Sequence, residues 1–117
     1  IVSEENPGGA SEWVSYLINN KNETLEGVLV STRGYGEIDN EQKKTATFRH
    51  SLEEIPPKSF KKIEILPEEL LALSNEFWLS FYIDHKMYDK KYIFLPEAIS
   101  NFNSINIPII NKIGVMI

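Results

Sequence analysis

"SEWVSYLINN", residues 11–20, decides how the rest of the chain is read. Trp13, Val14, Leu17 and Ile18 fall at i, i+1, i+4 and i+5, which on a helix makes one apolar stripe. Ser11 is placed to cap that helix by accepting a bond from a free backbone N–H, and Glu12 suits the positive end of its dipole. The spacing predicts a helix from Ser11 to about Asn19 or Asn20. Residues 1–10, broken by Pro7, Gly8 and Gly9, read as a flexible lead-in to it.

Beyond Leu25 the period changes. "TLEGVLVST" (24–32) is short, apolar and β-branched, and "KKTATFRHSL" (43–52) alternates wet and dry positions, so the two predict a hairpin of 25–33 with 43–52. "SFKKIEIL" (59–66) resumes strand character after Pro56-Pro57, which a central strand does not accommodate. "PEELLALS" (67–74) carries helix-start signals in Pro67 and the two glutamates behind it. "EFWLSFYIDHKMYDKKYIFLP" (76–96) alternates most clearly. Phe77, Leu79, Phe81 and Ile83 share one face, Trp78, Ser80 and Tyr82 the other, and "DHK" supplies a short bend before a return strand. The apolar tail "INIPIINKIGVMI" (105–117) reads as tied down, with Pro108 at an edge or kink. Together these predict an α+β fold over a single domain, 1–117. Its core is one antiparallel sheet of five to six strands, with the Trp13 helix packed on one face.

Composition narrows the function classes. With 42% hydrophobic and 25% charged residues the chain is not of the disordered class. A net charge of -5 works against indiscriminate nucleic-acid binding. Without cysteine there is no thiol nucleophile and no thiolate metal site. No apolar run approaches the ~20 residues that cross a bilayer, and no signal-peptide pattern is visible. The expectation is a cytoplasmic protein with no membrane contact.

Catalytic patterns are sparse. His50 and His85, far apart in sequence, fall short of the three or four converging ligands of a zinc site, and no cofactor or metal is predicted. There is no G-x-S-x-G elbow. The acid pairs Glu53-Glu54 and Glu68-Glu69 do not place two carboxylates on one face. Asn22-Glu23-Thr24 matches a glycosylation pattern. A small hydrolase or transferase using His50 stays open as a third reading.

Candidate recognition residues stand out more. "STRGYGEID" (31–39) carries Arg33 and Tyr35 beside Gly34 and Gly36, and reads as a glycine-shaped bend whose tip offers contacts. Two basic groups occur, Lys58/Lys61/Lys62 and Lys86/Lys90/Lys91. The second, interleaved with Tyr88 and Tyr92, has the charge-plus-stacking chemistry of single-strand binders, or else blunts a sheet edge. Trp78 and Tyr82 lie opposite the Phe77 face. If nothing in the chain covers them, they mark a ligand or oligomer surface. The leading reading is a non-catalytic interaction domain, with Arg33, Tyr35, Trp78 and Tyr82 as its contacts to a protein partner or, in a homodimer, to a second copy. The alternative places nucleic acid on Lys86, Tyr88, Lys90 and Lys91.

"SEWVSYLINN", "VLVSTRGYG", "NEFWLSFYI", "YDKKYIFLP" and "INKIGVMI" resemble a family of small bacterial proteins often labelled phenylalanyl-tRNA synthetase subunits. The resemblance runs from about Ser11 to Ile117. It implies a translation-associated role, either part of or accessory to a phenylalanine-tRNA ligase through tRNA or synthetase binding. It carries no catalytic residue onto this chain.

Overall fold

A computed structural model describes residues 1–5 and 7–117. Ten strands form among them: β1 (Val2–Glu5), β2 (Ser11–Asn19), β3 (Leu25–Ile38), β4 (Glu41–Lys44), β5 (Phe48–Ile55), β6 (Ser59–Leu66), β7 (Ser74–Ile83), β8 (Lys86–Phe94), β9 (Ile105–Ile107) and β10 (Lys112–Gly114). One antiparallel sheet runs β6-β2-β1-β10-β9. The other runs β4-β3-β7-β8, with β5 on the same edge of β3 as β4. Their inner faces share one core, in which Val28, Val30, Phe77, Leu79 and Phe81 of the second sheet meet Leu66, Trp13, Leu17 and Ile63 of the first.

This is a two-layer β-sandwich, and it overturns the α+β expectation. Ser11–Asn19 is strand, paired with β1 and with β6, and among the described residues no α-helix covers either sheet. The helical elements among the described residues are 3-10 turns, Glu68–Ala72 and Asn101–Asn103. The reason lies in burial. On β2, Trp13 and Leu17 face the main core, while Tyr16 and Ile18 pack on a smaller cluster of Val2, Ile107 and Ile110. A strand covered on both sides loses its strict alternation, and adjacent apolar residues then mimic a helical stripe. The flexible lead-in is corrected too: Val2–Glu5 pairs with β2, and Val2 also with Gly114. Asn6, in the same stretch, lies outside the described residues.

The glycine bend also gives way. β3 continues straight through Arg33 to Ile38, and the reversal falls at Asp39 and Asn40, both at positive φ. The one irregularity in β3 is a bulge at Gly27, where φ is +54° and the register against both β5 and β7 shifts. The β7–β8 hairpin matches the alternation read from the sequence, closing through Asp84 and His85 with φ of 49° and 64°. Positive φ at both central residues is the twist a two-residue hairpin loop requires.

On the outer side of the first sheet, the Tyr16 hydroxyl donates to Glu4, and Lys112 Nζ donates to the same carboxylate. Burial, then the bond to Glu4, pushes the Tyr16 phenol up to about 12. At Glu4 burial acts upward, but the bonds from Lys112 and Tyr16 outweigh it and hold the carboxyl below its ordinary value.

Candidate docking face

The register of the second sheet sorts its outward side chains into rows. Arg49, Ser31, Trp78 and Lys91 make one row across β5, β3, β7 and β8. Ser51, Leu29, Ser80 and Asp89 make the next. Past the Gly27 bulge come Glu26, Tyr82 and Met87. In the other direction lie Arg33, Glu76 and Ile93, then Lys44, Tyr35 and Ser74. Cross-strand neighbours share a face, so Arg33, Tyr35, Trp78 and Tyr82 all point outward from one surface. The sequence groups these four; their common face comes from the straight run of β3.

Large apolar side chains are open to solvent here: Leu29 at 53%, Trp78 at 48%, Tyr82 at 43% and Met87 at 54%. Leu29 and Met87 are absent from the residues picked out by sequence. Leu29 was findable, because it alternates with buried Val28 and Val30. Met87 was findable from the two-residue turn, which sets it opposite Tyr82.

One side of the patch is fixed by charge. The Glu76 side chain is 7% exposed and is held by Arg33, Nε to Oε2 at 2.8 Å and Nη2 to Oε1 at 3.3 Å, with Lys91 Nζ 3.8 Å from Oε1. The Arg33 guanidinium lies 5.2 Å above the Tyr35 ring and the Lys91 ammonium 5.4 Å above Trp78. One buried carboxylate thus orders two cations, and each cation lies against an aromatic ring. The bond to Glu76, and its charge, raise the Arg33 pKa further. Two shallow depressions of about 400 and 410 Å³ flank Arg33, the first reaching Arg49 and Trp78, the second Tyr35 and Lys44.

The nucleic-acid candidates do not share a surface. Lys91 stands in the Trp78 row, whereas Lys86, Tyr88 and Lys90 pair with Ile83, Phe81 and Leu79 and so lie on the opposite side of β8. Tyr88 stacks on Phe81 at 5.7 Å, and Lys86 Nζ is 5.8 Å above the Tyr88 ring. Lys58 and Lys61 sit on or beside β6, which neighbours β5 at the far edge, where their ammonium groups donate to the carbonyls of Asn20 and Leu52. The two basic groups therefore occupy opposite edges of the sandwich.

His50 reaches across from β5 to β6, its Nε2 2.9 Å from Glu64 Oε2. Buried Ser15 donates its hydroxyl to the Glu64 carbonyl, not to His50, so no activated serine forms there. His85 lies in the β7–β8 turn. Between the sheets a cavity of about 120 Å³ is walled mainly by apolar side chains such as Leu17, Phe77 and Phe94, without the convergent polar groups of a substrate site. No family model, no curated protein and no solved structure matches this chain.

Proposed function

We propose that the chain is a non-catalytic, cytoplasmic interaction domain that docks a protein partner on the outer face of its second sheet. Trp78 and Tyr82 are the anchors, with Leu29 and Met87 between and beside them, and Arg33 and Tyr35 on the flank. The observation that carries this reading is the contiguity of four exposed apolar side chains across three neighbouring strands, bordered by cations held in place. An aromatic centre with a polar rim is the anatomy of a docking surface, and scattered single exposures are not. Affinity capture with wild type and with Trp78→Ala tests it. The expected result is a bound protein, this chain itself included, that wild type retains and the variant loses. Identical captures contradict it.

A second reading keeps the translation-associated role, with tRNA on Lys86, Tyr88 and Lys90, the three that share one side of β8. The observation in its favour is the Lys86 ammonium over Tyr88 on an edge strand, a cation and a ring presented together. It requires tRNA binding whose affinity falls steeply with salt; no mobility shift at low salt removes it.

A further inference from the structure

We infer that the occupant of this face is a second copy of the same chain, laid against it with its strands reversed. The inference rests on the docking face proposed above and adds the partner's identity.

Charge is distributed unevenly along the face. Within four residues of the Leu29 row, one half carries Arg33, Arg49 and Lys91, with a single acid, Glu76, already held by two of them. The other half carries Glu26, and the closing turn adds Asp84, while Asp89 lies in the Leu29 row itself, at the β8 edge. A parallel overlay would set like against like. A two-fold axis running across the strands, through the row of Leu29 and Ser80, reverses one copy and sets the cationic half on the acidic half. Such an isologous contact is self-complementary and closes after two copies.

The same axis matches the apolar groups. It sets Leu29 against Leu29 of the second copy, and it exchanges the Trp78 row with the Tyr82 row, so each Trp78 meets the other copy's Tyr82. Arg49, one strand from Ser31, then falls beside Glu26 of the second copy. Four strands ~4.8 Å apart and about nine residues at ~3.4 Å give a footprint of roughly 600 Å² per copy. Doubled, that is roughly the ~1,200 Å² at which specific interfaces begin, which points to a reversible dimer.

Sedimentation equilibrium on the whole chain tests this, with thermal melts to confirm that each variant folds. Wild type dimerises, and Trp78→Ala weakens dimerisation by at least about tenfold. Arg49→Glu and Glu26→Lys, both on exposed positions, each weaken it alone by setting like charges together. Mixed one to one they restore it, because each charge then meets its opposite. Wild type that stays monomeric at millimolar concentration overturns the inference, as does a mixture that recovers nothing. If wild type is monomeric while Trp78→Ala still loses a different captured protein, the second copy is the wrong occupant and the docking face stands. If wild type dimerises unaffected by Trp78→Ala, both readings fall.

Discussion

Arg33 on β3 and Glu76 on β7 face each other across the sheet in a two-pronged pair, Nε to Oε2 at 2.8 Å and Nη2 to Oε1 at 3.3 Å. The pair is lopsided: the arginine side chain is half exposed and the carboxylate nearly covered. Removing the arginine therefore leaves a poorly solvated charge with only the longer contact to Lys91. Arg33→Met is expected to lower the melting temperature more than Glu76→Met does, and the double variant to recover most of the loss. A double-mutant thermal cycle reads this directly; additive losses would mean that the pair is not coupled.

Tyr16 gives the fold an alkaline limit. Its phenol has an ordinary pKa of 10 and is pushed to about 12 in the folded chain. The folded state thus holds a proton that the unfolded state releases in this window. The associated stability is complete below pH 10 and is lost as pH rises toward 12. Denaturant melts should show this decline, and Tyr16→Phe should flatten it. Glu4, held below its ordinary value, acts oppositely: its contribution is present above about pH 4.5 and fades as pH falls.

The β7–β8 turn should accept improvement. His85 holds a φ of 64°, a conformation that glycine adopts at no steric cost. His85→Gly is expected to raise stability by about 0.5 kcal/mol, limited by the added freedom of the unfolded chain. A lower midpoint in urea would show that the histidine ring makes a contact worth more than the turn strain.

Gly114 should accept nothing larger. A Cβ there would collide with the Ile1 carbonyl oxygen and stand 2.8 Å from Val2 Cγ1 and 2.9 Å from Ile107 Cδ1. Gly114→Ala is expected to cost roughly 1–3 kcal/mol, because β1, β9 and β10 must move apart. Unchanged unfolding would contradict the close approach of these strands.

What could be read from the residues alone follows from which faces are covered. β7 and β8 were legible because Phe77, Leu79, Phe81 and Ile83 are buried while Trp78 and Tyr82 are open, so alternation survives in the text. β2 was not, because Trp13 and Tyr16 are covered from opposite sides by different clusters. Gly34 and Gly36 suggested a bend, but they sit in a strand; a Cβ at either would press to 3.3 Å on Thr45 or Leu73, so small size explains them as well as turning does. Arg33, Tyr35, Trp78 and Tyr82 could each be suspected in advance. That Arg33 meets Glu76, and that Lys91 parts from Lys86, Tyr88 and Lys90, depends on register between distant segments, which local composition does not encode.

The most direct measurement of whether the Trp78 face is covered by a second copy is oxidative labelling of the intact chain at rising protein concentration, read residue by residue by mass spectrometry. Met116, 45% exposed and beside the cavity between the sheets, serves as the internal reference. The account predicts that labelling of Trp78 and Met87 falls with concentration while that of Met116 holds steady. Labelling of Trp78 and Met87 that stays in constant proportion to Met116 at every concentration would contradict it.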